Sequence, residues 1–101
     1  MKVKELIDIV NFNDFYCLGA VEDEVDKQAK QVEYGSALDN HRWWSTAIDV
    51  YECEDGYVGV FGVYQIFSEQ MSCRDIEIRC HAEEYKAVPC ITYVPKGYET
   101  N

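Results

Sequence analysis

The most reactive side chains are five cysteines, Cys17, Cys53, Cys73, Cys80 and Cys90, and two imidazoles, His41 and His81. A thiol nucleophile needs a base within hydrogen-bond reach. Cys80 and His81 are adjacent, and neighbours on a strand point to opposite faces, so they do not form such a pair. No G-x-S-x-G turn presents a serine. Zinc sites usually carry short paired spacings, whereas these cysteines are 36, 20, 7 and 10 residues apart. Cys73, Cys80 and His81, with His41 as a fourth, come nearest to a ligand set. Small hydrophobes in a core account for the thiols more simply. An odd cysteine count without a charged, apolar, then small-residue leader leads to an expectation of reduced thiols in a cytoplasmic setting, with no metal and no cofactor. Gly59-Val60-Phe61-Gly62 has the outline of a G-x-x-G clamp on a nucleic-acid backbone, but no basic residue stands beside it. Glycines that make room for an aromatic such as Trp43 or Tyr51 explain it better. A Lys-bearing phosphate loop is missing as well. The expectation is a protein that is not an enzyme.

The carboxylates carry the stronger signal. The chain of 101 residues has 19 acidic and 9 basic side chains, for a formal net charge of −10. That balance argues against direct contact with nucleic acid, whose phosphates attract Lys and Arg. Hydrophobic residues make up 48% and aromatics 14%, which excludes a disordered acidic segment. No apolar run approaches the roughly 18 residues of a membrane span. Seven acids and no base lie between Lys4 and Lys27, and five acids and no base between Arg42 and Arg74. Such stretches can simply solvate a surface. Here, however, Tyr16, Tyr51, Tyr57 and Tyr64 are interleaved with the acids, where lysines would balance an ordinary solvated face. Carboxylates pair with guanidinium and ammonium groups, and phenols anchor an interface at low entropy cost. The candidate partner-binding residues are Glu22, Asp23, Glu24 and Asp26 from the first stretch. From the second they are Asp49, Tyr51, Glu52, Glu54, Asp55 and Tyr64. Asp49 to Asp55 spans about 20 Å of strand, and four charges over that length is sparser than duplex DNA. Mimicry of a phosphate track would therefore draw on both stretches.

The elements that position these residues can be read from hydrophobic spacing. Val3, Leu6, Ile7 and Val10 make one helical stripe, broken at Asn11-Phe12-Asn13-Asp14. Val21, Val25, Ala29 and Val32 suggest a second helix, although Gln31 to Tyr34 could equally be an edge strand; Gly35-Ser36 is expected to stop either. Asp55-Gly56 between two β-branched, aromatic runs predicts the tip of a hairpin over residues 42–67. Residues opposite each other would then sum to 111. Trp44, Ile48, Val50, Phe61, Val63 and Phe67 would form the core face beneath the N-terminal helix. Ala47, Asp49, Tyr51, Cys53, Val58, Val60, Gly62 and Tyr64 would form the other. Ser68 to Cys73 reads as a polar connection, Asp75 to Arg79 as a brief strand, and Tyr85 to Val94 as a last strand that Pro89 places at an edge or bulge. Pro95 to Asn101 reads as a frayed tail. The expected fold is a single α+β domain over 1–101. One or two N-terminal helices pack on an antiparallel meander of three or four strands.

Lys4-Glu5-Leu6-Ile7-Asp8, His41-Arg42-Trp43-Trp44, the run from Val50 to Val60 and Val94-Pro95-Lys96 together resemble small proteins of firmicute phages and mobile elements. In size, acidity and apparent origin the chain is also similar to anti-CRISPR proteins. That resemblance implies a cytoplasmic, non-enzymatic inhibitor that blocks the DNA-binding cleft of a type II CRISPR effector nuclease. In such a nuclease, arginines read the protospacer-adjacent motif. The alternative is a phage structural or accessory protein that oligomerises, in the simplest case as a homodimer, through an aromatic sheet face.

Overall fold

A computed structural model describes residues 1–88 and 92–97, apart from the side chains of Asp26, Ala37, Cys73, Val88 and Thr92. The expectations for Pro89, Cys90 and residues 98–101 lie outside the described residues. So do those for the side chains of Asp26 and Cys73.

The helical stripe folds as expected into α1 (Val3–Asn11), with Val3, Leu6 and Val10 buried. Asn11 ends it and fastens it to the sheet. Its Nδ2 donates to the Ala82 carbonyl at 3.0 Å and its Oδ1 accepts from the Ala82 N–H at 2.8 Å. A second helix, α2 (Leu18–Val25), buries Leu18, Val21 and Val25 and runs into a 3-10 turn over Asp26–Gln28. The strands follow as β1 (Lys30–Asn40), β2 (Trp44–Cys53), β3 (Gly56–Ile66), β4 (His81–Val88) and β5 (Thr92–Pro95), with a one-turn helix α3 (Cys73–Ile76) before β4. All neighbours are antiparallel in the order β1-β2-β3-β4-β5. The protein is thus α+β, and among the described residues its meander has five strands where three or four were expected.

Several local expectations are corrected. Gly35 does not stop β1. Its φ of 65 lets the strand continue through an irregular register against β2, since a glycine accepts that conformation without a Cβ clash. Asp75 to Arg79 is not a strand. The Asp75 carboxylate accepts the Ser72 N–H at 2.8 Å and starts α3, and Glu77 closes that turn in the left-handed region. Pro95 closes β5, and the Lys96 N–H donates to the Glu84 carbonyl at 2.9 Å. The start of the expected tail therefore belongs to the sheet.

The hairpin turn is Glu54-Asp55, one residue earlier than Asp55-Gly56, so opposite residues sum to 109: Cys53 faces Gly56 and Tyr51 faces Val58. From Thr46 to Cys53 that shift of two keeps residues on their expected faces, but a bulge at Tyr64 then sets Ser45 opposite Gln65 and Trp44 opposite Ile66. What changes is which face is covered. The helices pack on Ala47, Tyr51, Cys53, Val58, Val60 and Ala82, not on the face of Trp44, Ile48 and Phe61. Helix packing needs a low surface, and this face is lined by small residues. A Cβ at Gly62 would lie 2.6 Å from the Cys80 sulfur and 3.1 Å from the Leu18 side chain. Gly62 therefore makes room for α2, and Gly59 for the ring of Tyr85 on the opposite face, rather than for Trp43 or Tyr51.

Candidate functional site

The hairpin tip does structural work. Asp55 Oδ1 accepts the Val3 N–H at 2.8 Å, satisfying a free donor at the start of α1. Glu54 Oε2 lies 3.1 Å from the amino group of Met1, which holds that carboxyl below the ordinary carboxylate range. The Glu54 N–H donates to the Met1 carbonyl at 3.1 Å. Glu52 points to the uncovered face, where it accepts from the Tyr57 hydroxyl at 3.3 Å. The four acids of the second stretch therefore do not act as one track.

Asp49 is separated from them by the alternation of the strand. It lies on the helix-covered face and is 3% exposed. Its Oδ1 accepts the Gly35 N–H at 2.7 Å, the bond that holds the irregular part of β1 onto β2. Burial raises its carboxyl above the ordinary carboxylate range. The Gly35 hydrogen bond opposes the rise, and the Glu22 charge adds to it. The Tyr64 ring lies against Gly35, 3.0 Å from where a Cβ would stand. Asp49, Gly35 and Tyr64 thus form one packed unit.

Beside them, Glu22 and Asp23 of α2 meet Ala29, Gln31, Tyr34 and Tyr51 around a pocket of about 250 Å³. Glu22, Asp23 and Tyr34 are exposed at its rim. Tyr51 is 2% exposed, and neither its Oη nor Gln31 Oε1 has a hydrogen-bond partner among the described residues. Burial, followed by the nearby Asp49 and Glu22 carboxylates, pushes the Tyr51 phenol well above its ordinary range, so it stays protonated. None of the described lining residues is Lys or Arg. The pocket joins Glu22 and Asp23 from the first acidic stretch to Tyr51 from the second, whereas Asp49 and Tyr64 do not line it. Glu24 is exposed on α2 but does not line the pocket, and Glu52, Glu54 and Asp55 stand apart from it. Gln31 and Tyr34 are functional candidates that sequence reading did not single out. Their place depends on β1 pairing with β2, which the polar sequence of β1 does not announce.

Titration of Asp49 has a definite sign. Its folded pKa is raised, so the folded state holds the proton more tightly than the unfolded one. The group's contribution to stability is then present at acid pH and lost as pH rises through the folded value. Asp49→Asn keeps an acceptor for the Gly35 N–H and removes the buried charge. Its melting temperature is expected to exceed the parent's at about pH 7, with the gap closing toward about pH 4. Thermal melts across that range check this, and a constant gap would exclude relief of buried charge as the cause.

The uncovered face carries a second depression, about 360 Å³, lined by Glu33, Ser36, Ile48, Val50, Tyr85, Tyr93 and Pro95. Phe61 lies on the same face and is 40% exposed. Cys53 and Cys80 are buried, Cys17 is half-buried, and none of the three is in a disulfide. Burial lifts the Cys53 thiol to about 11. Among the described residues, no three His, Cys, Asp or Glu side chains are grouped to hold a metal ion, and no described helix is long and apolar enough to cross a membrane. The chain matches no known family model, no curated protein and no solved structure.

Proposed function

We propose that this protein is a non-enzymatic binding module that docks its acidic corner onto a basic, nucleic-acid-handling protein and keeps nucleic acid out of that protein's binding groove. The observation that carries this reading is the meeting of Glu22 and Asp23 with Tyr51 and Tyr34 around a pocket that has no Lys or Arg among its described lining residues. Like charges brought together on a small fold cost stability, and a partner's cations would relieve that cost. The narrower form of the proposal takes a type II CRISPR effector nuclease as the partner, a reading that comes from the resemblance to anti-CRISPR proteins.

The test is binding to a purified, guide-loaded type II effector over a salt series, with and without matched DNA bound first. Charge-driven docking is expected to weaken steeply as salt rises and to be blocked by DNA already in the cleft. Salt-insensitive binding, or binding that leaves DNA association unchanged, would remove the charge-mimicry reading. Absence of binding would remove the nuclease as partner.

A second reading rests on a different observation. The sheet face away from the helices exposes Phe61 beside the depression lined by Ile48 and by Val50 and Tyr85, which are themselves buried. Association of copies through that face would be apolar and would persist at high salt, which sedimentation at varied salt and concentration distinguishes.

A further inference from the structure

The pocket between α2 and β1 has more definition than an acidic surface requires. Two neutral oxygens, Tyr51 Oη and Gln31 Oε1, are buried in its wall without hydrogen-bond partners among the described residues. Leaving buried polar atoms unmatched is costly, and such atoms are usually satisfied by something. Two carboxylates, Glu22 and Asp23, stand at the opening with the exposed ring of Tyr34. Tyr51 and Gln31 stand opposite each other across β2 and β1, and both line the pocket. Both unmatched oxygens can accept a hydrogen bond, the Tyr51 hydroxyl can also donate one to a rim carboxylate, the surrounding charge is negative, and an aromatic face stands at the entrance.

We propose that this pocket receives the guanidinium of one arginine side chain presented by a protein partner. A guanidinium is planar and carries five N–H donors in a fixed fork, enough to serve buried oxygens and a rim carboxylate at once. It also stacks on aromatic faces and sheds water more readily than an ammonium does. Lysine offers three donors from one strongly hydrated point and would leave part of the wall unmatched. The neighbouring Asp49 carboxylate lowers the cost of bringing a cation in from water. Tyr51 and Gln31 set the preference for arginine, while Glu22 and Asp23 supply the attraction. This inference rests on the reading that the acidic corner docks a basic protein, and it names the group docked.

The probe is N-acetyl-arginine methylamide, which presents the side chain without free termini. It is titrated into the ¹⁵N-labelled protein against the lysine and citrulline analogues. Saturable shifts are expected at Glu22, Gln31, Tyr34 and Tyr51 with the arginine compound. The lysine compound should bind at least about fivefold more weakly, and the neutral citrulline compound should give no shifts there. Tyr51→Phe keeps the ring and removes only the buried oxygen, and is expected to weaken binding about fivefold or more. Glu22→Gln, at the exposed rim, should weaken it similarly without touching the core. The proposal is overturned if arginine and lysine compounds give the same unsaturated drift across the acidic surface, or if both variants bind like the parent. If arginine fails to bind while Glu22→Lys with Asp23→Lys still abolishes partner binding, the pocket is refuted and the docking reading stands. If arginine saturates the pocket and that double reversal leaves partner binding intact, the pocket is supported and the docking reading falls.

Discussion

Glu22→Lys together with Asp23→Lys is expected to weaken binding to the basic partner by at least about a hundredfold. Each reversal replaces attraction with repulsion across a matched interface, and two together exceed the several kcal/mol at which binding is lost. Both side chains are exposed on α2, so circular dichroism and melting should show an intact fold. The matching control is Glu52→Lys with Glu83→Lys, the same change in net charge placed on exposed positions of β2 and β4. Affinity measured at one fixed salt concentration separates them. Equal loss in both pairs would mean that only total charge matters. No loss in either would return the acids to the role of solvating the surface. Three other acids cannot be used this way. Asp49→Lys would bury an unpaired ammonium, Asp55→Lys would remove the acceptor at the start of α1, and Glu54→Lys would oppose the amino group it now faces. Loss of binding in those variants would report unfolding.

The second large effect concerns stability. Leu6→Ala is expected to cost about 2–5 kcal/mol, because Leu6 is fully buried between α1 and the sheet and its removal leaves a cavity. Ile48→Ala should cost less than about 2 kcal/mol, since Ile48 is half-buried and lines an open depression. Chemical denaturation of both variants, with the slope checked for two-state behaviour, tests which face of the hairpin carries the core. The reverse order of effects would place the helices on the face of Trp44 and Phe61.

Much of this architecture is legible along the chain because it depends on short-range spacing. The 3–4 residue repeat of Val3, Leu6 and Val10 dictates α1 wherever it packs. The alternation of residues 46–63 dictates two strands with fixed face membership, which survives a turn displaced by one residue. The excess of carboxylates and the tyrosines among them are likewise properties of the sequence itself, and Asp49, Tyr51, Glu22 and Asp23 can be picked from it. Only the tertiary structure decides which face the helices cover, because alternation divides a strand into two faces without saying which is inside. The deciding factor is steric. Ala47, Gly62 and Ala82 leave a low surface on which α2 and α1 can lie, while Trp44 and Phe61 would hold a helix away. Once that face closes, Asp49 becomes a buried acceptor for Gly35, Asp55 serves α1, and Glu52 is turned to the opposite side. The pocket exists only because β1, polar and irregular in its own sequence, pairs with β2, sets Gln31 opposite Tyr51 and brings Gln31 and Tyr34 beside α2. Long-range contacts of that kind are paid for and rewarded only on folding, which is why no local pattern encodes them.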